Sequence, residues 1–592
     1  MHLAELNISN FRKLRNAKLR FQAGLNVLVG ANNVGKSAIV DALRALLAGH
    51  EEPYPRFDID DRHCPRDGEA EGDIDFHYVF RGLDHDDEAD FIAALKPNTE
   101  GQMEAHIHVR YSDADKAGRF RVKRWCGDHE DVPLSSDMME NLRGVYLQPL
   151  RDASQSLRPS RNSQLSRLLH LLTDEVGREG INDALRELDE ELKQHAPILN
   201  TQTAIATRHG DMLGDQFAQA LAVGLSASDF QRLSSRLSLS VDAFEIEQNG
   251  LGFNNLIFMA VVLSELAKNP DATYRGLIVE EPEAHLHPQL QAVLLRYLAS
   301  LQAVAGEKPV QLFVTSHSPN FASNANLDCL TCLVESDGRV ETFFPRDVKF
   351  QKGKREKLER YLDVTRAELF FARRVIFVEG AAELMLVDAL ATFAGFDLRG
   401  YGVSLISVEG LNFDSFLPLF GENALKIPCA LITDADPQTQ EDEGDDEGSE
   451  KEEDEGKKAV AVYPALGEEV VVSSNTKKMK ALEDRYVKVF HGVKTLEYDL
   501  ALHESNREAM LTALADPHPK IAKALRKLVE AEQDNTNKAR VLFRGMFERS
   551  QNNVQKGRFG QALAQVISEG AACEVPAYIL SAINHVCLVE ER

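Results

Sequence analysis

Residues 30–37 read Gly-Ala-Asn-Asn-Val-Gly-Lys-Ser, a complete G-x-x-x-x-G-K-S octet. In such a loop Gly30, Asn32, Asn33 and Gly35 let backbone amides close around phosphate oxygens. Lys36 reaches the β- and γ-phosphates, and the Ser37 hydroxyl holds Mg²⁺. A nucleoside triphosphate is the expected first ligand. Further along, Gly276-Leu-Ile-Val-Glu-Glu-Pro282 sets two carboxylates at the end of an apolar run. Glu280 suits a hydrated Mg²⁺, and Glu281 suits orienting or deprotonating an attacking water. Ser316-His317-Ser318 offers an imidazole to sense a γ-phosphate, and Gln148 in Tyr146-Leu-Gln-Pro149 offers a metal and water contact. Taken singly, Gln148 fits an ordinary strand position equally well, and His317 a capping role.

A second set of carboxylates has a different use. Val375-Ile-Phe-Val-Glu-Gly380 ends an apolar run with Glu379, Glu383 follows on the first turn of a helix, and Leu431-Ile-Thr-Asp-Ala-Asp436 closes another run with D-x-D. Asp434 and Asp436 share a face only if that segment stays extended. Carboxylates gathered at one sheet edge repel unless a divalent cation neutralises them, so Mg²⁺ or Mn²⁺ on oxygen ligands is expected. One or two such ions activate water and stabilise the charge of in-line displacement at a phosphodiester.

These residues require strands to carry them. Leu25–Gly30 is a short apolar run, and Ser37–Leu47 places Ile39, Val40, Leu43, Leu46 and Leu47 at helical spacing. Alternation predicts antiparallel strands over 74–80, 105–111 and 120–125. Residues 160–235 instead repeat apolar side chains at three and four, as in Ser163–Leu172 and Ile181–Leu192, which predicts a helical insertion. Strand-like alternation returns at 237–246, followed by a helix over 256–266, a strand over 276–279, a helix over 288–303 and a strand over 310–315. A charged helix over 352–373 leads to a second series: strand 375–378, helix 383–393, strands 403–408 and 429–433. Strands alternating with helices predict mostly parallel α/β domains.

The chain has 592 residues, too many for one core. Its net charge of −26 argues against a simple basic nucleic-acid binder. Residues 441–455 alone carry eleven acids and one lysine, and a disordered acidic insertion is expected over 439–458. Seven scattered cysteines, with a lone C-x-x-C at Cys329 and Cys332, read as buried thiols. No run approaches the roughly 18 to 20 uninterrupted apolar residues of a membrane span. A soluble, cytoplasmic protein without a membrane partner is expected.

The order Gly30–Ser37, Gln148, Glu280 with Glu281, and His317 resembles ABC-type ATPases of the SMC/RecF kind. That resemblance implies ATP as the ligand and closure of the site across a dimer. It also implies a γ-phosphate-binding signature loop supplied by the opposing subunit, for which Asn249-Gly-Leu-Gly-Phe-Asn-Asn255, with Gly250 and Gly252, is the match; it departs from L-S-G-G-Q. Glu379-Gly380 with D-x-D is similar to the Toprim domain. Joined through Thr365–Gly380, the two halves resemble the overcoming-lysogenization-defect (OLD) family of ATP-dependent endonucleases. The family adds a downstream acid and a lysine, matched here by Glu497 and Lys556, whose plainer reading is a solvated surface.

The implied fold is α/β: an ABC-type ATPase head (1–159 and 236–350), a helical dimerisation insertion (160–235), a linker helix (351–373) and a Rossmann-like Toprim nuclease domain (374–592). The implied function is ATP-regulated, metal-dependent DNA cleavage in bacterial defence against phage, by a homodimer acting alone or, in Gabija-type systems, beside a UvrD-like helicase. In this assignment Glu281, His317, Glu379 and Lys556 are catalytic, while Glu379, Glu383, Asp434, Asp436 and Glu497 hold metal. The alternative is a non-catalytic ATP-dependent DNA clamp with a docking Toprim-like domain. Arg12, Lys13, Arg15, Arg119, Arg121, Lys123 and Arg124 are candidate phosphate contacts.

Overall fold

The computed structural model describes the chain except residues 49–52, 66–67, 69, 150–155, 162, 215–216, 226–228, 243, 271, 306, 411, 436, 438–460 and 589–592. Asp436 and the acidic run therefore lie outside the described residues.

Two sheets build the N-terminal half. Strands His2–Phe11, Leu14–Arg20, Ile74–Arg81, Leu95–Pro97, Met103–Ser112 and Arg121–Cys126 form an antiparallel sheet. The second sheet runs in the order Arg339–Phe343, Leu330–Ser336, Leu25–Gly30, Gln311–Thr315, Tyr274–Glu280, Leu142–Leu147, parallel except for its first strand. Period-two alternation divides its side chains between two cores. Leu28, Ile278 and Phe313 pack with the helix Lys36–Leu47 and the antiparallel sheet. Val27, Val29, Leu277, Val279, Leu312 and Val314 face the helices Leu251–Lys268 and Pro288–Ser300. The helix Leu251–Lys268 is long and apolar enough to cross a membrane, but its buried residues lie inside this core.

That second core does not stop at the N-terminal half. It continues through Leu358, Leu369 and Phe370 into Val375, Phe377, Cys429, Leu431, Val487 and Val489. These last residues belong to a four-stranded parallel sheet ordered Val403–Ser407, Arg374–Val378, Cys429–Thr433, Val487–His491. Polar ties reinforce the junction: Arg485 with Asp337, Lys426 with Glu341 at 2.6 Å, and Ser336 with Tyr486 at 3.2 Å. The opposite face of this sheet, Ile376, Val378, Ala430 and Ile432, packs on C-terminal helices from Leu496–Ala501 to Ala577–Cys587.

Several elements differ from the sequence expectation. The linker is not one helix: Lys354–Tyr361 is helical, and a separate 3₁₀ turn, Arg366–Phe370, follows. Asp363 causes the break by accepting the Arg366 amide at 2.9 Å, as an acid does when it starts a new turn. The signature segment does not wholly precede its helix. The helix begins at Leu251, because Asn254 donates to the Ile246 carbonyl at 2.8 Å and Asn249 donates to Asn254 at 3.0 Å, which ties down the first turn. Among the described residues of 237–246 the only strands are the two-residue Ser240–Val241 and Phe244–Glu245, and Ile246 already begins a 3₁₀ turn. Among the described residues the insertion contains the helices Gln164–Leu172, Glu175–Lys193 and Ala196–Leu213, and the last two bury no residue.

Candidate functional site

The first site forms where four parallel strands end together. Register pairs Leu28 with Thr315, Thr315 with Glu280, and Val279 with Leu147, so the phosphate loop, His317, Glu280, Glu281 and Gln148 leave one edge of the sheet. Ligands bind parallel α/β sheets at this carboxyl edge. Gly30 and Gly35 take φ of 148° and 104°, and Asn33 takes 61°. A Cβ at Gly30 would run into the Leu333 carbonyl, so the turn needs glycine there. Asn32, Asn33 and Ser37 are exposed, while Lys36 is only 4% exposed.

Lys36 Nζ donates to the carbonyls of Gly30 at 2.6 Å and Ala31 at 2.9 Å. Burial drives its pKa down to about 8, against the pull of Glu281 and Glu283. A cavity of about 200 Å³ lies beside it, lined by Arg12, Lys13, Asn33, Gly35, Lys36, Ser37, Ala38 and His317. Glu280 accepts hydrogen bonds from Tyr146 Oη at 2.7 Å and from Ser37, yet burial still raises its pKa. Ser37 and Glu280 thus share the place where a nucleotide's magnesium would sit. Glu281 takes φ of 46° and stands 3.5 Å from His317 Nε2, whose pKa is lowered by burial and by Lys36.

Sequence reasoning passed over two residues here, Tyr146 and Glu283. Tyr146 buttresses Glu280 and lies under Arg44 at 4.1 Å. Glu283 accepts from Ser316 Oγ at 2.7 Å and the His317 amide at 2.9 Å, fixing the turn that carries His317. Arg12, expected to contact DNA, lines this cavity and is held by Asp41 at 2.7 Å and Asp61 at 2.8 Å. Gln148 is exposed one residue past its strand. Gly250 caps the helix Leu251–Lys268, and Gly252 packs against the His285 carbonyl, where a Cβ would collide.

The second site lies at the carboxyl edge of the four-stranded sheet. Glu379 follows the strand Arg374–Val378 and accepts from Thr433 Oγ1 at 2.6 Å and the Asp434 amide at 2.9 Å. Asp434 Oδ1 accepts the Leu496 amide at 3.1 Å, which brings the helix Leu496–Ala501 to the sheet edge. Glu383 is buried in the first turn of Ala381–Phe393, its pKa raised by burial and then by Glu497 and Glu379. Glu497, 1% exposed, accepts from Lys556 Nζ at 2.8 Å. Burial alone would lower the Lys556 pKa, but Glu497, Asp434 and Glu383 outweigh it and raise it.

Glu379, Glu383, Asp434, Glu497 and Lys556 therefore converge. Among the described residues no three acids, histidines or cysteines are arranged to hold one ion; Glu379, Asp434 and Glu497 are each held by separate donors instead. The donor set nonetheless fits a hard divalent cation: it is all oxygen, and Glu497 Oε1 is buried without a hydrogen-bond partner. Asp499, which sequence reading missed, is also buried here; desolvation pushes its pKa up to about 7, although Oδ1 accepts the Val493 and Lys494 amides. Its spacing from Glu497, an E-x-D, was the available signal.

A model of the AAA ATPase domain matches residues 1–117 and 128–322, more than half of the chain, and a model described as overcoming lysogenization defect protein-like, TOPRIM domain, matches residues 370–436. The chain belongs to the AAA ATPase family and carries an OLD-type Toprim domain. The ATPase–Toprim chain is 25% identical to the OLD nuclease of Thermus scotoductus over 468 residues, covering 77% of this chain and 86% of that protein. It is 25% identical over 222 residues to endonuclease GajA of Bacillus cereus, spanning 33% of this chain and about a third of that relative. The solved C-terminal region of the Xanthomonas campestris OLD protein is 27% identical, with a TM-score of 0.24, over 37% of this chain and 94% of that one. AAA ATPase and Toprim domains use nucleotide and divalent metal in general.

Proposed function

We propose that the chain is an ATP-regulated, metal-dependent DNA endonuclease. One observation carries this reading: Glu379, Glu383, Asp434, Glu497 and Lys556 meet at one sheet edge in a chain whose other half holds a complete phosphate loop. The names of the OLD nuclease and GajA relatives support it.

Glu379, Glu383, Asp434 and Glu497 would hold Mg²⁺ or Mn²⁺, with Asp436 as a further candidate outside the described residues. A bound ion there supplies activated water and neutralises phosphate charge. Lys556 then stabilises charge developing on the non-bridging oxygens of the scissile phosphate. Thr433 and the Asp434 amide keep Glu379 directed along the edge. In the ATPase half, Glu281 orients water toward the γ-phosphate and His317 reports its presence.

By the same reading, two copies close their ATP sites against each other, with Gly250 and Gly252 of one facing the phosphate loop of the other. The family resemblance further supports a cytoplasmic role in bacterial defence against phage, alone or with a UvrD-like helicase. The test is incubation of purified protein with supercoiled plasmid and Mg²⁺ or Mn²⁺, with and without ATP, beside Glu379→Ala and Asp434→Ala. Metal-dependent cutting lost in both variants is expected. Cutting retained by both sinks the site, and an inactive wild type under every condition favours the DNA clamp.

A further inference from the structure

Most cations that the sequence marks as candidate phosphate contacts are already engaged. Lys123 pairs with Glu130 at 2.8 Å, Arg119 with Asp115 at 2.9 Å, Lys13 with Glu335 at 3.3 Å, and Arg124 donates to the Ala45 carbonyl at 3.2 Å. The Toprim side is different. Residues 519–560 carry ten Lys or Arg against four Asp or Glu, a net of +6 in a chain of −26.

Two cations there are held without being neutralised. Lys494 Nζ lies 4.8 Å from the centroid of the Tyr463 ring, and Arg540 Cζ lies 5.3 Å from it. Neither has a carboxylate within 4 Å among the described residues. A ring positions a cation through its quadrupole and leaves the full charge in place, whereas an ion pair cancels it. The Tyr463 hydroxyl donates to Glu548, which fixes the ring, and Glu548 also engages Arg544 at 3.5 Å on the same helix as Arg540.

This arrangement sits directly beside the carboxylates. The Lys494 carbonyl accepts the Ala435 amide at 2.8 Å, one residue from Asp434, and its own amide donates to Asp499 at 3.2 Å. On the helix Lys556–Ser568, Lys556 closes the group through Glu497. Fixed, uncancelled positive charge next to a phosphodiester site matches a polyanion backbone.

We propose that Lys494 and Arg540, positioned by Tyr463, form a cradle for the DNA phosphates that flank the scissile bond; this rests on the nuclease reading above. The experiment measures binding of the full chain to a short labelled duplex by fluorescence anisotropy, in EDTA so that no cutting occurs, across a salt series. Lys494→Gln and Arg540→Gln are each expected to weaken binding severalfold and to reduce the slope of log K against log salt by about 0.9. Tyr463→Leu weakens binding although it removes no charge, while Tyr463→Phe, which keeps the ring but loses its tie to Glu548, binds more tightly than Tyr463→Leu. Arg540 is exposed, so its variant reports even if Tyr463→Leu misfolds. Wild-type affinity and slope in Lys494→Gln and Arg540→Gln overturn the cradle. Plasmid cutting is scored separately: a wild type that binds but never cuts refutes the nuclease and leaves the cradle standing, and one that binds no DNA refutes both.

Discussion

Lys556 Nζ lies 2.8 Å from Glu497 Oε2, joining the C-terminal helices to the Toprim carboxylates across 59 residues of chain. Glu497 is 1% exposed, and its other oxygen has no hydrogen-bond partner, so the lysine is the main compensation for a buried charge. Lys556→Met should cost about 1–3 kcal/mol of stability, the usual penalty of leaving a buried acceptor unmatched. Adding Glu497→Gln should restore much of that stability. Neither variant should nick plasmid. Denaturant unfolding beside a nicking assay separates the two roles, and full cutting by Lys556→Met would remove the lysine from the chemistry.

Tyr146→Phe removes a 2.7 Å hydrogen bond to Glu280 and nothing else. A hydrogen bond to a charged group is worth about 1.5–3 kcal/mol, so ATP turnover should fall about tenfold or more. Nucleotide binding, which rests on the phosphate loop, should change much less. Parallel measurements of kcat and of nucleotide affinity check this split; equal losses in both would mean that Tyr146 supports the loop itself.

Lys36 titrates near 8 because burial disfavours its charge. Triphosphate binding favours the charged form, so binding takes up a proton once the free protein has lost it. Below pH about 8 affinity should be flat with respect to this group, and above it affinity should fall toward about tenfold per pH unit. Titration calorimetry in buffers of different ionisation enthalpy reads the proton uptake directly. A flat profile through pH 9 would show that Lys36 stays charged in the free protein.

Phe377 is fully buried in the core shared by the ATPase and Toprim sheets, with ring contacts to Phe416 at 5.8 Å and Phe420 at 5.4 Å. Phe377→Ala should cost about 3–5 kcal/mol through lost burial and the cavity left behind. Since this core extends onto one face of the parallel sheet of the N-terminal half, the loss should reach that half. The single tryptophan, Trp125, lies in the antiparallel sheet far along the chain from Phe377 and is 5% exposed. Its emission should therefore report the lowered unfolding midpoint, in step with circular dichroism. An unchanged tryptophan transition would show that the halves unfold independently.

The two-domain plan and the nucleotide ligand were legible in the sequence because their signals are local. Eight contiguous residues, 30–37, define the phosphate loop, and the glutamates 280, 281 and 379 each end an apolar strand of a few residues. A strand that ends in a carboxylate places it at a sheet edge whatever surrounds it. The boundaries at Leu251 and Arg366 were not legible, since each depends on a side-chain to backbone hydrogen bond made by a residue with no periodic signal.

Only the tertiary structure decided which distant groups complete each site. Tyr146 reaches Glu280 across 134 residues, and Lys556 reaches Glu497 across 59. It also decided the electrostatics. Arg12 and Lys123 look like free cations in the sequence, but they face carboxylates, whereas Lys494 and Arg540 face a ring. Charge type is a property of the residue, but whether that charge is desolvated, cancelled or left available depends on neighbours that only folding brings within a few ångströms.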